Sequence, residues 1–192
     1  MSGRARAGED RRHCLDGRMD TDEILDIVDE NDRVVGRSPR GEAYARGLRN
    51  RCAFILVRDA EDRIFVHRRT ATKLVHPSLY DMFVGGVVGT GESYAEAALR
   101  EAEEELGVSG LPQPVFLFKF LYDGDRGSWW SAVHEVRCDL PVKPQAEEVA
   151  WHTFLTEQEL ERRLGEWAWA PDGLEAYERL RAHRGQLDGP SL

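Results

Sequence analysis

Three cysteines in 192 residues, Cys14, Cys52 and Cys138, are too few and too scattered for a disulfide framework or a zinc site. No apolar stretch nears the ~20 residues that a membrane-spanning helix needs. The opening segment MSGRARAGEDRRHCLDG carries arginines but none of the apolar core of a secretory signal. These absences lead to the expectation of a reducing, cytoplasmic setting with no membrane partner. Positive charge is also short: 26 basic residues face 35 acidic ones, for a net charge of −9. Such a chain repels a phosphate backbone, so general nucleic-acid binding is not expected. A phosphorylated small molecule stays open if a metal ion supplies the missing positive charge. No G-x-G-x-x-G follows the first long strand, no G-x-x-x-x-G-K-[ST] occurs, and no internal repeat is visible.

Hydrophobic residues make up 41% and charged residues 32%, in the range of one globular domain. Residues 1–22 are polar and aperiodic, and we expect a disordered tail there, with Met19 as an alternative start. An ordered domain is expected over 23–184 and a flexible tail over 185–192. Strands are expected at Ile24–Val28, from Val34, at Cys52–Val57 (CAFILV, a buried central strand) and at Ile64–Arg68. Ser38 is expected to cap a helix with Pro39 at its first position, running to about Arg46 before Gly47. Tyr80–Val88 reads as two short strands. Ser93–Leu106 reads as a helix closed by Gly107. Val115–Tyr122 and Ser128–Cys138 read as a hairpin around the turn Asp123–Gly127. A strand over Val149–Leu155, a helix over Thr156–Leu164 capped by Thr156, and a last helix over Asp172–His183 complete the order. Strands and helices in this mixed order imply an α/β fold, a sandwich around a mixed β-sheet rather than a doubly wound sheet.

Chemistry concentrates between Gly86 and Val108. On a helix, residues i, i+3 and i+4 share a face, so Glu101, Glu104 and Glu105 point into one small volume while Glu103 points elsewhere. Three carboxylates so close repel one another unless a hard divalent cation sits among them. Magnesium favours such oxygens and keeps waters in its shell, leaving places for phosphate and for a nucleophilic water. Gly85-Gly86 and Gly89-Thr90-Gly91 let the backbone bend and approach a ligand, with a carbonyl free to join the metal. Arg100, between Glu96 and Glu104 on the helix, can orient a carboxylate, with Glu92 as the alternative partner. An Ala/Glu-rich helix is ordinarily a solvated face, but the seven fixed positions Gly86, Glu92, Arg100, Glu101, Glu104, Glu105 and Gly107 argue otherwise. At roughly 7% per residue type, their chance agreement is on the order of one in 10⁸.

These residues match the Nudix box, G-x5-E-x7-R-E-U-x-E-E-x-G-U, with Ala102 in a slot usually filled by a larger apolar residue. The segments Asp26–Gly36, Ala53–Arg69 and the surroundings of Trp151 resemble a bacterial Nudix branch related to isopentenyl-diphosphate isomerase. The resemblance implies an α/β/α sandwich and a hydrolase that cleaves a phosphoanhydride bond in a nucleoside diphosphate linked to another group, or a related small molecule. It implies magnesium, or manganese in its stead, held by Glu101, Glu104, Glu105 and the Gly86 carbonyl. Arg100 with Glu92 would be the orienting pair. A general base can come from a later loop, where Glu147 and Glu148 stand, and Glu148 is the candidate. Arg68, Arg69 and Lys73 would meet substrate phosphates. The resemblance leaves a homodimer open.

Isomerase chemistry is the rival within the family. It needs a cysteine where this chain has Gly85, and metal-binding histidines where it has Val87 and Arg51. A glycine cannot protonate a double bond and an arginine cannot bind a cation. A catalytically silent nucleotide-binding protein is the other alternative, disfavoured by the intact acid triad. His67, His76, His134 and His152 read as structural, Cys52 as core, and Trp129, Trp130, Phe120 and Tyr122 as core or dimer surface rather than base-stacking residues. Trp167 and Trp169 are expected to anchor the last helix.

Overall fold

The computed structural model describes residues 22–187. The expectations of an N-terminal tail up to residue 21, of an alternative start at Met19 and of a tail beyond 187 lie outside the described residues. The nine apolar-rich residues of β3 (Asn50–Arg58) set the centre. Strand alternation sends Cys52, Phe54 and Leu56 to one core, and Ala53, Ile55 and Val57 to another. A strand buried on both faces needs a layer on each side. Helix α2 (Tyr94–Leu106) supplies one with Ala97, Ala98, Ala102 and Leu106. Helices α3 (Glu157–Leu164) and α4 (Pro171–Leu187) supply the other with Leu160, Ala176, Tyr177 and Leu180. The small residue Ala102 suits this packing, because α2 lies close against the sheet. The result is the expected α/β/α sandwich.

The sheet has seven strands. Its spine runs β5 (Tyr80–Asp81), β4 (Ile64–Arg69), β3, β8 (Gly127–Arg137), β7 (Val115–Gly124). Strand β6 (Val84–Val87) also pairs with β3, and β9 (Val149–Leu155) with β4. Among the described strands only β3 and β8 pair in parallel, Asn50 facing Trp129 through Arg58 facing Arg137. The sheet is therefore mixed. A separate hairpin, β1 (Ile24–Val28) and β2 (Val34–Pro39), leads into the short α1 (Arg40–Ala45).

Several boundaries differ from the sequence reading, and three of the differences have a clear physical cause. Ser38 does not cap α1. The β1–β2 ladder pairs Leu25 with Ser38 and Ile24 with Pro39, so β2 continues through both and Pro39 takes the N-cap position without a side-chain cap. Ladder pairing across the hairpin overrides the local capping signal. The β7–β8 hairpin is tighter than expected, because Gly124 pairs with Gly127 around Asp125-Arg126 alone. Helix α4 begins at Pro171, with its missing N–H in the first turn, and reaches Leu187, three residues into the stretch expected as a tail. Trp167 and Trp169, expected to anchor that helix, make their polar and stacking contacts with α3 and β5: the Trp169 indole donates to the Arg163 carbonyl, and Trp167 stacks on Tyr80 at 4.3 Å.

Candidate active site

Helix α2 is fixed at both ends. Ser93 accepts from the Glu96 N–H while Glu96 reaches back to the Ser93 N–H, a complete capping box. At the other end Gly107 adopts φ +61, and a Cβ there would stand 2.0 Å from the Lys143 carbonyl oxygen. The helix thereby presents one polar stripe to a cavity of about 310 Å³. Glu101, Glu104 and Glu105 line it, as do Gly85, Gly86 and Arg100. Glu103 instead turns away and accepts the Leu111 N–H.

Arg100 organises this stripe. Its guanidinium grips both oxygens of Glu92 at 2.9 Å, and bonds Glu101 at 2.6 Å and the Val87 carbonyl at 3.2 Å. Glu92 is the main partner, and Glu104 is a longer one at 3.3 Å. The bidentate clasp raises the Arg100 pKa further and holds the Glu92 carboxyl below its ordinary range.

Burial works in the opposite direction on two ligand candidates. It pushes Glu101 up to about 7, with Arg100 offsetting and Glu105 adding to the shift. It also raises Glu105, with Lys73 and Arg69 partly offsetting. Glu105 is buried, and its Oε2 has no hydrogen-bond partner. A buried carboxylate oxygen left unpaired is costly, and a cation would relieve that cost. The Glu101 carboxylate packs against Gly86, 2.7–2.8 Å from where a Cβ would stand, so a side chain there would displace it. Hard carboxylate oxygens next to a backbone carbonyl fit a divalent cation such as magnesium. One Arg100 nitrogen bridges Glu101 and Glu104, at 2.6 and 3.3 Å. Among the described residues no three Asp, Glu, His or Cys side chains are already gathered as a ligand cluster.

The remaining candidates divide. Lys73 and Glu148 form an ion pair, and both line the cavity. Arg69 lines it too, steadied by bonds to the Val75 carbonyl at 3.1 and 3.3 Å. Arg68 does not line it. Alternation on β4 turns this residue outward, where it is exposed, bonds the Ser78 carbonyl and lies over Tyr80. Arg68 is thus corrected from phosphate contact to surface residue. Arg51 pairs with Asp32 at 2.6 Å and stands outside the cavity. Cys52 is buried as expected, and burial pushes its thiol up to about 12.

A second group lines the same cavity: His76, which reads from the sequence as structural, Trp129, which reads as core or dimer surface, and Asp81 and Asp172, which the sequence reading does not weigh. They come from the 70–79 loop, β5, β8 and the start of α4. No spacing links them, so no local motif could have announced them.

Comparison with known proteins identifies the family. The NUDIX domain family model matches residues 48–177. An uncharacterised Nudix hydrolase of Streptomyces coelicolor is 72% identical over 178 residues, covering 92% of this chain and 98% of that one. Among solved structures, a Deinococcus radiodurans protein superposes with TM-score 0.68 at 30% identity, over 82% of this chain and 98% of that one. The Nudix domain of Shewanella oneidensis NrtR, crystallised with ADP ribose, superposes with TM-score 0.55 at 16% identity over 68% of this chain and 85% of that one, a likeness of fold. The chain belongs to the Nudix hydrolase family.

Proposed function

We propose that the chain hydrolyses a phosphoanhydride bond in a small molecule carrying a nucleoside diphosphate or a related diphosphate, with magnesium held at α2. The observation that carries this reading is the unpartnered Glu105 oxygen on the same face as a Glu101 carboxylate lodged against Gly86. Glu101, Glu104, Glu105 and the Gly86 carbonyl would hold the metal. When bound, magnesium neutralises phosphate oxygens and lowers the pKa of a water.

The chain's own groups do the rest. Arg100, clasped by Glu92, fixes the Glu101 carboxylate in place. Lys73 and Arg69 draw the substrate phosphates toward the α2 face. Glu148, beside Lys73, accepts the proton of the attacking water. This is positioning and charge neutralisation, the usual content of phosphoryl transfer. An isomerase reading is opposed by Gly85, where φ is +148 and a Cβ would meet the Ala53 carbonyl oxygen at 2.0 Å, so no cysteine fits that backbone.

The test is a hydrolysis screen over nucleoside diphosphates, nucleoside triphosphates, sugar nucleotides, dinucleotide cofactors and isoprenoid diphosphates, run with magnesium, with chelator and with Glu104→Gln. Turnover lost with chelator, and reduced about a hundredfold or more in the variant, supports the reading. Turnover undiminished in Glu104→Gln sinks it. Magnesium binding without turnover of any substrate favours a silent binding protein.

A further inference from the structure

The β1–β2 hairpin carries no residue of the box, yet it grips the bend that leads into α2. That bend is a turn closed by the Glu92 N–H on the Gly89 carbonyl at 3.0 Å, with Gly91 at φ +77, a value that the third place of such a turn asks of glycine. The turn leaves the Gly91 N–H unused, and Asp26 of β1 accepts it at 3.2 Å. The Thr90 hydroxyl donates to the Ile24 carbonyl at 2.9 Å, and Leu25 bridges Gly89. At the hairpin's other end the Tyr94 hydroxyl, in the first turn of α2, donates to Asp32 at 3.1 Å. Glu92 joins the turn to the helix, since one of its oxygens accepts both the Gly89 N–H and an Arg100 nitrogen at 2.9 Å. Asp26 is buried, with its side chain only 10% exposed, although its other partner, Arg37, is 64% exposed. A cross-strand pair so open to water is weak and does not account for burying a carboxylate. The bend does, because it lies against the carboxylate and offers it the Gly91 N–H.

We infer that Asp26 is a positioning residue for the α2 site: it fixes the Gly89–Glu92 bend, and through Glu92 and Arg100 it sets the place of the Glu101 carboxylate. Asp26 holds Gly91, the bend holds Glu92, Glu92 clasps Arg100 with both oxygens, and Arg100 bonds Glu101 at 2.6 Å. A bidentate clasp is directional, so a carboxylate that swings with its bend cannot keep both bonds. Groups that orient a metal's ligands act on its affinity without touching it. An ionised acid suits the role, because a carboxylate binds a backbone N–H more strongly than a neutral acceptor does. Burial would raise the Asp26 carboxyl, but the Gly91 N–H and Arg37 outweigh it and hold the group below the ordinary carboxylate range. The inference rests on the hydrolase reading only in assigning the metal to α2.

The test reads the clasp itself. The Arg100 Nε–H is followed by nuclear magnetic resonance in the full chain without metal, identified by its loss in Arg100→Lys. Asp26→Ala should speed its exchange with solvent about tenfold or more. Asp26→Asn, whose amide oxygen can still accept the Gly91 N–H, should stay within about threefold of the wild type. Arg37→Ala removes only the cross-strand pair and should also stay within about threefold. Manganese, titrated as a paramagnetic probe, should bind Asp26→Ala about fivefold more weakly than the wild type. That loss should vanish in a Glu92→Gln background, where the relay is already cut. Thr90→Val loosens the same bend and takes the place of Asp26→Ala if that variant does not fold. A purely structural Asp26 would lower the melting temperature of Asp26→Ala and leave both readouts at wild-type values, which overturns the inference. Failure of Asp26→Asn to rescue, or an equal loss in Arg37→Ala, overturns it as well. Absence of manganese binding in the wild type would fail the α2 metal reading, and the Arg100 signal would then decide this inference alone. A dead hydrolysis screen with the Arg100 effect intact would fail the hydrolase reading alone, and an active screen with Arg100 unmoved would fail only this one.

Discussion

Gly85 and Glu148 are the residues at which the mechanism is most exposed to a single substitution. Gly85→Ala places a Cβ on the Ala53 carbonyl at a backbone φ of +148, within the ladder that pairs Gly85 with Phe54. We expect a loss of about 2 kcal/mol or more, roughly 4–8 °C in melting temperature, and a calorimetric scan unchanged from wild type would refute the strain argument. Glu148→Gln separates two roles. If Glu148 takes the water proton, kcat falls at least about tenfold with KM within about threefold. If it only partners Lys73, KM rises instead because the lysine loses its hold. We expect the former, read from steady-state kinetics on whichever substrate the screen yields. At this scale the sequence was legible where chemistry is local. The spacing of Glu101, Glu104 and Glu105 on one helix face needs no tertiary knowledge. Arg68 against Arg69 was not legible, since choosing between adjacent arginines requires knowing which face of β4 looks into the cavity.

Helix α2 shows why some boundaries are written locally and others are not. Its start and stop are set by Ser93 with Glu96 and by Gly107, all within one turn of the ends they define. Those signals are visible in the bare sequence, and the observed helix matches them. Ser38-Pro39 offered the same kind of signal, yet the β1–β2 ladder claimed both residues. The competing partners lie in β1, 13 and 15 residues back, which a window around Ser38 does not contain. The cap of α2 carries a measurable share of stability. Ser93→Ala should cost about 1 kcal/mol, roughly 2–4 °C. Turnover per folded molecule well below the melting temperature should stay within about twofold, because Arg100, Glu92 and the ligand glutamates keep their own bonds. A loss of turnover at full foldedness would mean that the cap positions the site and does not merely hold the helix.

The whole molecule keeps an unusual store of buried acid around one cavity, and this makes its stability depend on pH and on the metal together. Burial raises Asp172 and Glu105 and pushes Asp81 up to about 8, with Asp172 adding to the Asp81 shift. Arg69 faces both aspartates and lowers them, while His76 lowers Asp172. A carboxyl whose folded pKa is raised contributes stability that is present below the unfolded aspartate range of about 4 and lost as the pH climbs through its folded value. The histidines act in the opposite sense. His67, pushed down to about 3 by burial, and His76, also lowered by burial, contribute stability present above about 6.5 and lost as the pH falls. The Cys52 thiol, raised to about 12, adds its own slope only above about pH 8. Between pH 7 and 8 the acids therefore dominate. In chelator, stability should fall across that interval, and Asp81→Asn, which keeps an acceptor for the Phe83 N–H, should remove about 1 kcal/mol of the fall, roughly 3 °C. Magnesium binds the deprotonated ligands, so its stabilisation of the wild type should grow from pH 6 to pH 8. Scanning calorimetry at three pH values, with and without the metal, reads both effects. An Asp81→Asn slope equal to the wild type would show that Asp81 is not a buried acid of the folded state, and a magnesium shift independent of pH would separate the metal from the α2 carboxylates.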